Sequence, residues 1–303
     1  MAGISSALFF AAPLYVAAQG QIRVWSGCSR RLTFLFEINR SARKDRPRVM
    51  KVSLFITCLV DQFAPQVGVG MVAVLRKLGV GVDFPADQTC CGQSAFNSGF
   101  QAEARDVAAR FIEVFEHSRY VVAPSGSCAS MVRVYYPELF KHDQRMLERA
   151  NNLASRTYEF TEFLINVLGV EDVGARFDGK VALHQSCHLL RELNVRSEPV
   201  RLLKAVKGIE LVELERAEMC CGFGGLFSVK YSHISGGILQ EKIDTLKKSR
   251  ADVVVATDYG CLMHMAGGLS RQRIALRTMH IAELLAMAQG EPGSGAARHN
   301  RRQ

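Results

Sequence analysis

The sequence predicts an α/β protein built from two tandem repeats, each a βαβ (Rossmann-like) half with a parallel sheet, the two related by a pseudo-two-fold axis. Three observations carry that expectation. An unusual Cys-Cys-Gly step occurs twice, in "QTCCGQSAFNSG" (88–99) and in "EMCCGFGGLFSV" (218–229). Each step belongs to a set of four cysteines. Cys58, Cys90, Cys91 and Cys128 read C-x31-CCG-x35-C, and Cys187, Cys220, Cys221 and Cys261 read C-x32-CCG-x38-C. Apolar strand-like runs alternate with amphipathic helical ones through both sets, the pattern of parallel βαβ units. Four positions repeated at such spacing mark an internal duplication.

Residues 1–49 stand apart from this pattern. They carry a net charge of +6, and their apolar run "ALFFAAPLYVAA" (7–18) is too short to span a bilayer. No basic residue precedes that run, so it lacks the charged start of a secretory signal. At Met50 the text changes into "MKVSLFITC", which opens like a buried strand. The expectation is an unstructured upstream extension over 1–49, a natural start at Met50, and no role for Cys28.

The first repeat is expected over 50–170. It starts with a strand at "KVSLFITC" (51–58), then a helix near 66–79 and a short strand at 80–84. The Cys-Cys-Gly step follows, then a helix near 100–117 and a strand at "YVVAPSGSC" (120–128). The second repeat, over 171–290, answers each element. "KVALHQSC" (180–187) matches the first strand, and helix 197–207 and strand 209–214 follow it. After the second Cys-Cys-Gly come helix 231–249 and the strand at "VVVATDYGC" (253–261). The closing segments also agree, "SRTYEFTEFL" (155–164) with "LRTMHIAELL" (276–285). Residues 291–303 read as a disordered basic tail.

The chain's formal net charge of +9 suggests a nucleic-acid partner only until it is located. The extension holds +6 and the tail +2, leaving +1 over 50–290, so no basic recognition surface is expected on the folded body. No nucleic acid and no integral membrane segment are expected, and the location expected is cytoplasmic.

In parallel α/β sheets, sites collect beyond the carboxyl ends of the strands. Every cysteine of a set falls at or just after a strand end, so each set is expected to converge in one crevice. Several chemistries compete there. Disulfide frameworks belong to oxidising compartments and small cores. Structural zinc favours closely spaced C-x2–4-C pairs, and this chain has no C-x-x-C. Adjacent residues on extended backbone also point their side chains apart, which suits one small ion poorly. An iron–sulfur cluster is several ångströms across and soft thiolates select it, although the ferredoxin spacing is absent. Buried free cysteines acting as small hydrophobes are the bland alternative.

Around the cysteines, His184 and His188 flank Cys187 in "HQSCH" and are the candidate catalytic or cluster-tuning residues. Arg191 is a candidate grip for a carboxylate. The glycine-rich "CGFGG" (221–225) has neither the P-loop Lys-Ser/Thr nor a dinucleotide fingerprint, which excludes nucleotide binding there.

"MKVSLFITCLVD", "CCGQSAFNSG", "PSGSCASMV", "HQSCHLLREL", "CCGFGGLFSVK" and "DYGCLMHMAGG" together resemble the cysteine-rich CCG domain family. That family includes the cysteine-rich subunit of heterodisulfide reductase, the iron–sulfur subunits of glycolate oxidase and anaerobic glycerol-3-phosphate dehydrogenase, and the iron–sulfur proteins of lactate utilization. The resemblance covers essentially all of 50–290. It implies an oxidoreductase subunit that transfers electrons through one or two clusters, of 4Fe-4S type, held by the eight cysteines. It also implies L-lactate oxidation to pyruvate, active only with companion iron–sulfur subunits and a flavin- or quinone-linked acceptor. The alternatives are a heterodisulfide or thiol–disulfide reductase-type subunit, or a subunit of a glycolate or glycerol-3-phosphate oxidising complex. In the heterodisulfide reductase pattern each repeat ends C-x-x-C. Here Met131 and His264 stand at the last position, so His264 is a possible additional ligand of the second set.

Overall fold

The computed structural model describes residues 50–287. The extension, Cys28 and the basic tail therefore lie outside the described residues. Two four-stranded parallel sheets organise the rest. The first has strands β1 (Lys51–Leu54), β2 (Gly81–Asp83), β3 (Val121–Ala123) and β4 (Thr157–Glu159) in the order β2-β1-β3-β4. The second has β5 (Arg176–His184), β6 (Lys207–Val212), β7 (Val253–Ala256) and β8 (Arg277–His280) in the equivalent order β6-β5-β7-β8. All pairings are parallel, with Ser53 beside Val121 in one sheet and Val181 beside Val253 in the other.

Alternation along the strands explains how each sheet is covered on both faces. Val52, Leu54 and Val122 face a core that also receives Val181, Leu183, Val253 and Val255 from the second sheet. The residues between them face outward into separate cores. Phe55, Val121 and Ala123 enter one with Phe111 and Tyr136, and Val254 and Ala256 enter the other with Leu246 and Met265. Side chains on successive strand residues point to opposite faces, so one apolar run supplies both layers.

Reciprocal packing relates the two halves. The Ile281–Leu285 helix, which follows β8, packs on the Pro65–Lys77 helix of the first half. The Phe160–Glu162 turn, which follows β4, packs on the Glu198–Ala205 helix of the second. The helices that carry the cysteines cross over in the same way. The Cys58–Phe63 helix touches the Tyr259–Arg271 helix, and the Cys187–Arg191 helix touches the Gly126–Ser130 helix. Pairs that exchange roles in this way are the signature of two-fold packing.

Three details depart from the expected elements. The first strand stops at Leu54 and Cys58 opens a helix, because Thr57 is extended (ψ 152°) and the chain turns there. The closing segments hold fourth strands, β4 and β8, beyond the three strands expected per half. Each runs straight into a helix through a capping box, Glu159 with Glu162 and His280 with Glu283. The first half also has a Gln144–Ala154 helix, capped by Asp143, between β3 and β4. Among the described residues no helix is long and apolar enough to cross a membrane.

Candidate metal centre

Each half builds its cysteine set from three strand ends. Cys58 and Cys187 begin the short helices after β1 and β5. Cys90–Cys91 and Cys220–Cys221 lie in the loops after β2 and β6. Cys128 and Cys261 lie in the helices after β3 and β7. All eight are free thiols.

The sulfurs form a chain in each half. Cys58 Sγ lies 3.7 Å from Cys90 Sγ, and the Cys91 thiol interacts with both of its neighbours in the set, Cys90 and Cys128. The second half repeats this from Cys187 to Cys220, Cys221 and Cys261. Cys91 and Cys221 are the deepest of their sets, 3% and 2% exposed, whereas Cys58 is exposed and Cys187, Cys220 and Cys261 are half-buried.

The loop glycines make the inward turn possible. Gly92 has φ 82° and Gly222 φ 87°, in the left-handed region that glycine enters without penalty. In that conformation each aims its own N–H at the first sulfur of its pair, 3.5 Å for Gly92 to Cys90 Sγ and 3.3 Å for Gly222 to Cys220 Sγ. The loops are held from behind. Tyr136 donates its hydroxyl to the Cys91 carbonyl at 2.9 Å, and Ser235 donates to the Gly222 carbonyl at 2.8 Å.

Four thiols this close cannot all ionise independently, and the protons are shared along each chain. The hydrogen bond to Cys90 pushes the Cys58 thiol up, and the same contact draws Cys90 well below the usual thiol range. The bond to Cys128 raises Cys91. In the second half Cys187 is raised by its bond to Cys220, Cys220 is lowered by that bond, and Cys221 is raised. Cys261 is lowered to about 6, first by Cys221 and also by His184. A set of thiols sharing protons in this way is a set of soft donors that a cationic metal centre can replace proton for proton.

The histidines expected near the second set take different places. His184 ends β5, fully buried, with neither ring nitrogen hydrogen-bonded among the described residues. Its donor atom and the sulfurs of Cys221 and Cys261 all lie within 4.8 Å of one another. His188 Nε2 lies 3.8 Å from Glu192 Oε1. His264 places Nε2 3.2 Å from the Ser235 hydroxyl. Arg191 donates to the Glu218 carbonyl at 3.3 Å. Met131, in the place of His264, is fully buried in the outer core of the first half.

Two residues near these sites escaped sequence reading. Asp258, nearly buried between the halves, accepts from Ser125 Oγ at 2.7 Å, Ser127 Oγ at 2.8 Å and Ser127 N at 3.0 Å. The repeat itself was the signal, since Asp258 and Ser125 occupy matching positions three residues before Cys261 and Cys128. Lys242, also buried, lies on the Ser232–Ser249 helix one stripe from Ser235, and the Leu239–Leu246 periodicity would have placed it inward.

Comparison with known proteins agrees with this geometry. The cysteine-rich domain, CCG, matches residues 52–133 and again residues 181–266. Lactate utilization protein A 2 of Bacillus cereus (strain 03BB102) is 50% identical over 237 residues, covering 78% of this chain and 98% of its own. Lactate utilization protein A of Bacillus subtilis (strain 168) is 50% identical over 236 residues, covering 78% of this chain and 99% of its own. Among solved structures, a Yersinia pestis chain provisionally assigned as an Asp/Glu racemase gives a TM-score of 0.33 at 11% identity, over 78% of this chain and 96% of its own, which carries no argument.

Proposed function

The chain belongs to the cysteine-rich CCG domain family, alongside the lactate utilization A proteins, and we propose that it is an iron–sulfur electron-transfer subunit in the oxidation of L-lactate to pyruvate. The observation that supports this most is the duplicated convergence of four unbridged cysteines, with a backbone N–H aimed at a sulfur in each half.

The donor set fits such a cluster. Cys58, Cys90, Cys91 and Cys128 would hold one, and Cys187, Cys220, Cys221 and Cys261 a second, of 4Fe-4S type. When bound, an iron–sulfur cluster supplies one-electron transfer. The chain's own groups do the rest. Gly92 and Gly222 give their N–H groups to sulfur, which favours the thiolate. Tyr136 and Ser235 fix the loops that carry the central cysteine pairs. Cys58, the exposed member of the first set, marks the side from which a partner would approach. His188, part exposed beside Cys187 and next to Glu192, is placed for proton handling, and His184 for tuning the second set. Companion iron–sulfur subunits and a flavin- or quinone-linked acceptor complete the reading.

The test is chemical first. Anaerobically purified protein is expected to be brown and to contain iron and acid-labile sulfide. Replacing Cys220 with serine is expected to lower both and to abolish lactate-dependent reduction of an acceptor in the reconstituted system, because a hydroxyl ligates iron poorly. Full iron, full sulfide and unchanged lactate oxidation in Cys220→Ser would refute the reading. Acceptor reduction driven by a thiol in place of lactate would move the protein to the thiol–disulfide reductases.

A further inference from the structure

The two cysteine sets share one topology, yet their surroundings differ in charge. Superposing the repeats by their matching segments pairs Phe55 with His184, since each stands three residues before the first cysteine of its set. The helices behind the Cys-Cys-Gly loops pair through the same contact. A Cβ on Gly92 would meet Ala104 O and Val107, and one on Gly222 would meet Ser235 O and Ile238. That correspondence sets Phe111 against Lys242. In the first half Phe55 and Phe111 meet edge to face at 4.6 Å inside an aromatic core. In the second half the same two places hold a buried imidazole and a buried ammonium.

Lys242 is fully buried, and among the described residues its ammonium hydrogen-bonds only carbonyl oxygens, Ala217 O at 3.3 Å and Arg216 O at 3.5 Å. No carboxylate lies within ion-pair distance of it among the described residues. A buried cation without a counter-charge is costly. Lys242 stands one helical turn beyond Ile238, which packs on Gly222 behind the cysteine pair, and the sulfurs of Cys221, Cys187, Cys261 and Cys220 act on it once ionised. Burial draws its pKa down to about 8, and those sulfurs oppose the fall.

The geometry points to Lys242 as the built-in counter-cation of the second cysteine set: a positioning residue that favours metal-bound thiolates and a reduced centre there, with no equivalent in the first half. It deepens the iron–sulfur reading and rests on it for the potential, though not for thiolate–metal binding. Reduction adds negative charge, so a fixed buried cation raises the reduction potential. The second site is therefore the more oxidising of the two, and an electron shared between them resides there.

The test uses Co2+ as probe in the full-length apoprotein at fixed pH. Cys90→Ser and Cys91→Ser together disable the first set, and the thiolate-to-cobalt absorption then reports the second. In that background Lys242→Met is expected to weaken Co2+ binding roughly tenfold or more, the scale of one buried charge. Lys242→Gln keeps a donor for the two carbonyls and loses only the charge. It is expected to weaken binding equally, which separates charge from packing. With Cys220→Ser and Cys221→Ser disabling the second set instead, Lys242→Met is expected to leave Co2+ affinity unchanged. In iron-loaded protein, Lys242→Met is expected to lower the potential of one centre by about 59 mV or more, the one-electron equivalent of tenfold. Unaltered Co2+ affinity in folded Lys242→Gln, or equal weakening at both sets, overturns the inference. Purified protein without iron refutes the cluster reading, and the Co2+ result still decides on Lys242.

Discussion

Replacing Gly222 with alanine is the sharpest test of how the second Cys-Cys-Gly loop is built. Two costs add. Gly222 has φ 87°, and an L-residue in the left-handed region loses about 1–2 kcal/mol. An alanine Cβ would also stand 2.7 Å from the Ser235 carbonyl oxygen, helix backbone that has no side-chain freedom with which to yield. Overpacking of that kind costs about 1–3 kcal/mol, so the sum is about 2–5 kcal/mol. Gly92→Ala isolates the first cost. Its φ is 82°, but the nearest atom is Val107 Cγ1 at 3.3 Å, the end of a side chain that can give. Its expected loss is about 1–2 kcal/mol. Gly236→Ala has the opposite sign: the residue lies inside the Ser232–Ser249 helix with nothing within 4 Å of its Cβ, and a gain of about 0.5–1 kcal/mol is expected. Urea unfolding of the three variants measures these differences. At about 2–4 °C per kcal/mol for a chain of this size, Gly222→Ala should lower Tm by roughly 4–20 °C. If Gly222→Ala proves no more destabilising than Gly92→Ala, the close packing of the loop on Ser235 does not constrain the site.

Asp258→Ala removes the acceptor shared by Ser125 and Ser127 and is expected to cost about 2–4 kcal/mol, whereas Asp258→Asn keeps an acceptor oxygen and costs less. Equal losses in denaturant titrations would show that the contact between the halves does not depend on this carboxylate. Glu159 is fully buried, and burial raises its pKa from 4.5 to about 8. The folded state therefore keeps its proton where the unfolded chain has released it. The stabilisation is fully present below about pH 4.5 and is lost as pH rises toward 8, a swing of roughly a few kcal/mol at most. Glu159→Gln is expected to flatten that part of the stability–pH curve, and an unchanged slope would exclude Glu159 as its source. Buried His280 acts in the other direction. Burial lowers its pKa below 6.5, so its contribution is lost as pH falls below that value.

The parallel sheets and the convergence of the cysteines were legible because two signals coincide in the sequence, the apolar runs and the repeated spacing. The fourth strands were harder to see. Thr157–Glu159 is three residues long, its two buried positions are the polar Thr157 and Glu159, and it passes directly into a helix, so no apolar run marks it. The end of β1 at Leu54 was masked in the same way, since Phe55 and Ile56 continue the apolar run after pairing stops. Around the site, the ligand-type residues could be named from the sequence but not all aimed. His184 and His188 read as equals on either side of Cys187. The helix that opens at Cys187 turns His188 toward Glu192 and leaves His184 at the strand end beside Cys221 and Cys261. Lys242 looked like any lysine on an amphipathic helix, because burial of a cation is decided by what packs over it.

The contact between Ser125 and Asp258 has a consequence for the origin of the molecule. These residues hold matching positions in the two repeats and meet each other, so they lie on the symmetry axis. In a homodimer of single repeats every substitution appears twice. An aspartate at that position would then face another aspartate, and a serine another serine. A carboxylate accepting from a hydroxyl at the axis is open only to two repeats encoded separately in one chain. The same freedom separates His184 from Phe55 and Lys242 from Phe111. Fusion of the repeats is what permits two sites of one design to take unlike chemical surroundings.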